Sequence, residues 1–208
     1  FKSWKKKKDE PVSNLPTVNV VTNTEREKAL LTVVAAFAAD PVVRWIVPQA
    51  DIYLNHGVRF FDIFGGAAFA AGAAYEAAGF AGAALWVPPG KEDESADETF
   101  RQILKEIAKP ERVDEVSSVL DEMQSYHPEE PCWYLPIIGV DPCHQGRGLG
   151  ATLMKYALDK VDAEGLPAYL ESSNPANISL YQRHGFEVIG RIQIASSPPV
   201  HPMYRAAR

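Results

Sequence analysis

Little in this chain points to a metal, a disulfide or a membrane. Only two of its 208 residues are cysteine, Cys132 and Cys143. They flank a stretch that reads as one extended strand and a turn, too far apart to bridge, so two free thiols in a reducing compartment are expected. Neither belongs to a Cys-x-x-Cys pair, and no histidine stands at zinc-ligand spacing beside them, which argues against a metal site. A basic field is missing as well: 21 Lys and Arg against 27 Asp and Glu leave a net charge of -6, which gives nucleic acid nothing to bind. The one basic run, Lys5 to Lys8, lies within residues 1–14, a polar segment that reads as a disordered tail or as one added to the natural chain. From Gly65 to Val87 the only charge is Glu76. That run is rich in Ala and Gly and carries its charge near the middle, where lipid would penalise it most, so it is not read as a membrane span. No secretory leader is recognisable. These absences leave a cytoplasmic protein, monomer or homodimer, whose residues 15–208 form a single domain.

What is present begins with 46% hydrophobic residues, enough for a sizeable core. Thr17 to Thr22 is a β-branched run and reads as a strand, and Thr24-x-x-Glu27 reads as the capping box of a helix with Leu30, Val33, Val34 and Phe37 on one face. Asp40-Pro41 reads as its end. Tyr53 to Phe64 predicts a second helix, in which Phe60, Phe61 and Phe64 are core aromatics or the wall of a substrate site. Gly65 to Val87 reads as two strands turning near Gly79, the second apolar on both faces and therefore central. Ser95-x-x-Glu98 opens a helix broken at Pro110, and another follows from Val113 to Met123.

The densest signal is Trp133 to Tyr156. An apolar strand leads through a polar turn into Gln145-Gly146-Arg147-Gly148-Leu149-Gly150 and then a helix, an arrangement that offers backbone N–H groups to a phosphate. Gly146-x-Gly148-x-x-Ala151 matches a dinucleotide-binding fingerprint, with Glu171 ending the next strand, so an NAD-binding Rossmann oxidoreductase is one reading. Three features oppose it. Asp141 to Gln145 separate the strand from the first glycine, too little chain remains after Glu171 for further βαβ units, and Pro136 interrupts the strand. A proline there withholds a ladder N–H and predicts a bulge or a parting of strands, which would leave backbone groups for an extended ligand. Downstream, Asn174-Pro175 opens a short helix that stops at Gly185, and Phe186 to Ile194 and Met203 to Ala206 read as closing strands.

Gln145-x-x-Gly148-x-Gly150 after Val140-Asp141-Pro142, followed by Asn177-x-x-x-Tyr181-x-x-x-Gly185-Phe186, resembles the GNAT acetyltransferase superfamily. From Trp133 to about Ile189 the chain is particularly similar to puromycin N-acetyltransferase and its relatives. The first 120 or so residues fit only in their order of elements. The resemblance implies an α/β (α+β) fold with a mixed, mostly antiparallel sheet of about six to seven strands, flanked by helices and parting at an acetyl-CoA site. It implies that Gln145, Gly146, Arg147, Gly148, Leu149, Gly150 and Ala151 hold the pyrophosphate, although a solvent-facing Arg147 is the competing reading. Ile138, Gly139 and Val140 would pair with the pantetheine arm, and Asn177 would reach that arm or a water. Tyr181 would be the general acid to the departing thiolate. Glu171, and second Tyr134, would be the base that frees the amine. Aromatics at Phe60, Phe61, Phe64, Trp86, Trp133 and Tyr134 hint at a small-molecule amine acceptor with an apolar or aromatic body, with a peptide or protein amine as the alternative. A regulatory module that binds CoA without turnover is the remaining alternative.

Overall fold

The computed structural model describes residues 16–92 and 95–208, so the expectation for residues 1–14 lies outside the described residues. Among these, seven strands form one sheet: β1 (Val18–Val20), β2 (Ala74–Ala77), β3 (Gly82–Val87), β4 (Trp133–Val140), β5 (Ala168–Ser172), β6 (Glu187–Val188) and β7 (His201–Arg205). Their order is β1-β2-β3-β4-β5-β7-β6. Neighbours are antiparallel except β4 with β5. A dinucleotide fold needs a run of parallel strands. With a single parallel pair among the described residues, the Rossmann reading is withdrawn.

Among the described residues eight α-helices cover the sheet: α1 (Arg26–Ala36), α2 (Pro41–Ile46), α3 (Ala50–Gly65), α4 (Ala67–Ala70), α5 (Ala96–Ile107), α6 (Val113–Ser125), α7 (Leu149–Glu164) and α8 (Ile178–Arg183). The apolar stripe of α1 is buried as its spacing predicts, with Leu30, Val33 and Val34 in the core. Its capping box sits two residues before the expected one. Thr22 is the extended residue after β1, and its N–H and hydroxyl donate to the Glu25 carboxylate at 3.3 and 2.7 Å. Asp40-Pro41 does not merely end a helix. Asp40 accepts from the N–H groups of Val42 and Val43, each at 3.0 Å, and so caps α2 with proline in its first turn.

The Ala- and Gly-rich segment divides. Its first residues finish α3 and form the single turn α4, where alanine's helix preference prevails; the rest makes the expected pair β2 and β3, and every residue of β3 is buried. Between the strands Ala78, Gly79 and Phe80 all take left-handed φ, 56°, 67° and 69°. Two of these carry a Cβ, so the turn is strained. Glu76 holds it: the buried carboxylate accepts from Phe80 N at 2.7 Å and Asn19 Nδ2 at 2.5 Å, while Thr32 donates to Phe80 O at 2.7 Å. The one charge of that segment is therefore a turn clamp.

Hydrophobic residues gather on both faces of the sheet. One cluster packs α1, α3, α5 and α6 against residues such as Leu85 and Ile137; the other packs α7 against Trp86, Trp133, Leu135 and Leu170. Leu135 and Ile137 stand two apart in β4 yet face opposite clusters, which a regular strand of period two forbids. The pairing register to β3 shifts over the same residues, from Val87↔Tyr134 to Leu85↔Ile137. One extra residue is thus inserted in β4, Leu135 and Pro136 together lying opposite Trp86 as a β-bulge, the feature the proline predicts.

Candidate active site

The bulge fixes where β4 leaves its neighbour. Parallel pairing with β5 runs only through Trp133, Tyr134 and Leu135, whereas β3 stays paired through Val140. Beyond Leu135 one edge of β4 is therefore open inside the sheet. Asp141 donates its N–H to Ala81 O on the β3 side, so strand alternation turns Gly139 and Ile137 to β3 as well and turns Ile138 and Val140 toward the gap. Gln145 Nε2 already reaches Val140 O from that side, at 3.2 Å. Gly139 faces the other way. A Cβ on it would lie 2.6 Å from Ala36 Cβ, so its bare backbone lets α1 approach the sheet.

The glycine loop lies at the far end of the gap. Asp141 caps the turn after β4 by accepting from Cys143 N at 2.8 Å, and that backbone bond holds its carboxyl below the usual range. Gly146 and Gly148 have φ of 75° and 80°, and a Cβ on either would meet nothing within 4 Å. The space in front of the loop is open. Helix α7 begins at Leu149 and its first internal donor is Thr152, to Gly148 O. The N–H groups of Leu149, Gly150 and Ala151 thus precede the helix ladder, at the positive end of a 16-residue helix. Leu149 itself is buried beneath, anchoring that end. Arg147 is exposed and donates to Cys143 O at 3.3 Å. Together the loop and the open edge fit a phosphate joined to an extended arm.

Helix α8 meets the start of α7. Asn174 caps its opening turn by accepting from Ala176 N at 3.0 Å, and Pro175 follows, as expected. Leu180 comes within 3.4 Å of a Cβ built on Gly150, so α8 and the start of α7 touch there. Asn177 is exposed on the turn before α8. Tyr181 is buried, and burial, with the Asp40 charge added, pushes its phenol well above the ordinary tyrosine value. Asp40 is itself buried, and that burial raises its carboxyl although Ser173 Oγ donates to it at 2.6 Å. The α1–α2 junction and the segment after β5 are thereby drawn to the same place.

On the other face, Phe60, Phe61, Phe64, Pro136, Glu171 and Ser173 border a narrow cavity of about 80 Å³. A larger groove of about 860 Å³ lies beside it, lined by His127, Tyr134 and Tyr169; Phe64, Phe100, Leu120 and Met123 border both spaces. Glu171 and Tyr134 are joined through His127, a residue that no motif marks. His127 Nε2 stands 2.9 Å from Glu171 Oε1, and its ring meets Tyr134 at 4.7 Å and Tyr169 at 4.8 Å. Trp86 and Trp133, expected with the phenylalanines, lie instead on the α7 face, 6.4 Å apart, with Trp133 Nε1 donating to Glu164. They are core residues because β-strand alternation turns them away from the cavity.

Residues 107–186 match the model of the acetyltransferase (GNAT) family, and these residues contain the parted strand, the glycine loop and Tyr181. The match supports membership of the GNAT superfamily. Proteins similar to this chain include an uncharacterized N-acetyltransferase of Schizosaccharomyces pombe, 27% identical over 172 residues, 77% of this chain and 70% of that protein. A mycothiol acetyltransferase of Streptosporangium roseum is 41% identical over 63 residues, 29% of this chain but only 19% of that protein. Among solved structures, histone acetyltransferase HPA2 and related acetyltransferase from Corynebacterium glutamicum has a TM-score of 0.67 at 25% identity, covering 93% of this chain and 97% of its own. Arylalkylamine N-acetyltransferase 2 of Aedes aegypti has a TM-score of 0.68 at 14% identity, covering 94% and 100%. That last likeness is one of fold. The sheet of this chain, open, seven-stranded and mostly antiparallel, matches the fold of these neighbours.

Proposed function

We propose that the protein transfers the acetyl group of acetyl-CoA to the primary amine of a small molecule, by direct attack of the amine and with Tyr181 as general acid. The observation that carries this reading is the departure of β4 from β5 at Pro136, which leaves an unpaired strand edge running to the N-terminus of α7. Bound acetyl-CoA would supply a thioester and a thiolate leaving group. The loop Gln145 to Ala151 would hold its phosphates through backbone N–H groups, with Arg147 adding charge, and Asn177 would reach its arm from the turn before α8. Ile138 and Val140 would pair with that arm as a neighbouring strand does. The Ile138 N–H, free beside the bulge, would polarise the acetyl carbonyl.

The acceptor belongs on the opposite face, in the cavity walled by Phe61 and Phe64. An alkylammonium with a pKa of about 10.4 costs on the order of 4 to 5 kcal/mol to neutralise at pH 7. Glu171, whose carboxylate borders that cavity, takes this proton, with Tyr134 beside it as the second candidate. The nitrogen then bonds to the acetyl carbon as the carbon–sulfur bond breaks. Tyr181, kept protonated by burial, donates to the sulfur and regains a proton from the new amide nitrogen.

Neighbours of the same fold include arylalkylamine and polyamine N-acetyltransferases and a ribosomal-protein-S18-alanine N-acetyltransferase, so the choice of a small amine rests on the aromatic walls of the cavity. The test is an acetyl-CoA consumption screen over aminonucleosides, arylalkylamines, polyamines and peptide N-termini, preceded by thermal denaturation with acetyl-CoA and with NADH. Saturating acetyl-CoA, at about 100 times Kd, should stabilise the protein by about 2.7 kcal/mol. Stabilisation by NADH alone would reject the reading. Stabilisation by acetyl-CoA without turnover of any amine would favour a regulatory module.

A further inference from the structure

We propose that His127 is the proton outlet of the acceptor site, a relay residue that takes from Glu171 the proton released in each turnover and hands it to solvent. The inference rests on the acetyl-transfer reading above. An alkylammonium and a thioester become an amide, a thiol and one free proton. One of the two protons lost from nitrogen ends on sulfur; the other must leave the site. Glu171 accepts it, but its side chain is only 3% exposed, so the carboxyl has no direct exchange with bulk water.

Its contact on the solvent side is His127. Nε2 lies 2.9 Å from Glu171 Oε1, the imidazole is 28% exposed, and the ring lines the groove of about 860 Å³ that opens beside Glu129 and Glu130. Glu171 thus borders the inner cavity while its histidine partner borders the outer one. Two aromatic walls hold the ring in place, Tyr134 from β4 and Tyr169 from β5. Tyr169 does not substitute for it, because burial and then the adjacent Glu171 charge push its phenol well up and keep it neutral. An imidazole exchanges protons near neutral pH as other side chains ordinarily do not. In the relay the Glu171 O–H bond breaks as an Nε2–H bond forms, Nδ1 releases its proton to groove water, and exchange with water restores the starting tautomer.

His127→Gln keeps a donor for Glu171 but has no basic nitrogen, so kcat should fall by about 10²-fold or more, within the usual range of proton-transfer catalysis. KM for the amine and for acetyl-CoA should stay close to wild type. His127→Ala should lose as much and regain activity with added imidazole, which the groove is large enough to admit. No such rescue should occur once Glu171 is also Gln. Thermal denaturation with and without acetyl-CoA, read first, shows which variants retain the fold and the donor site; if His127→Ala does not fold, His127→Gln carries the test. Wild-type kcat in His127→Gln, or a loss in His127→Ala that imidazole does not restore, would overturn the relay. A wild-type protein that acetylates no amine would instead sink the reading on which the relay rests.

Discussion

Burial keeps the Tyr181 phenol protonated, the state that the proposed acid role requires. Burial removes the water that would stabilise a phenolate, and Asp40, capping α2 a short distance away, adds like charge. Tyr181→Phe removes the proton and little else. In steady-state assays with the best amine of the screen, kcat should fall by about 10²-fold or more, while stabilisation by acetyl-CoA persists. A kcat within threefold of wild type would exclude the acid role. Residues of this kind were unevenly legible. Tyr181 stands out as a candidate because Asn177, Gly185 and Phe186 frame it at fixed spacing. His127 was missed: a histidine between a helix end and Pro128 has no periodicity, and its partner Glu171 is 44 positions away.

At the scale of elements the sequence was most readable where one residue type forces a backbone geometry. Pro136 predicted the break in β4, and Asn174-Pro175 predicted the opening of α8. The same cap-and-proline pattern at Asp40-Pro41 also opens a helix, although it reads equally well as the end of the one before it. Alanine with scattered glycine, in the segment before β2, specifies helix and strand too weakly to place α4. β6 is shorter than its apolar run suggests because only Glu187 and Val188 pair with β7. The α1–β4 contact yields a prediction of its own. Gly139→Ala would force Ala36 away, and overpacking of this kind costs about 1–3 kcal/mol. Ala36→Gly in the same chain should recover part of that loss, since the two sites share one contact and do not add. Urea titration of the four proteins reads the coupling; additive losses would show that α1 does not rest on Gly139.

The whole molecule is tied together at its far end by Arg205 of β7. Its buried guanidinium grips both oxygens of Asp162 near the end of α7, at 2.7 and 2.9 Å, and donates from Nε to His184 O just after α8. Those bonds lower the Asp162 carboxyl below its usual value of 3.8. A carboxyl depressed in the folded state contributes stability that is present above its unfolded value and lost as pH falls through the folded one. Stability of the wild type should therefore decline steeply below about pH 4, and Asp162→Asn should flatten that decline while lowering stability at neutral pH. Equilibrium unfolding between pH 2.5 and 7 checks both; parallel curves would remove Asp162 from the acid response. The parted sheet has a consequence at this scale too. Unpaired strand edges usually invite association with other chains, and proteins blunt them with charge, bulges or cover. Here the spare backbone faces inward between β4 and β5, where a single extended chain fits but the broad edge of another sheet does not. Binding capacity is thus held inside the fold without offering a template for aggregation.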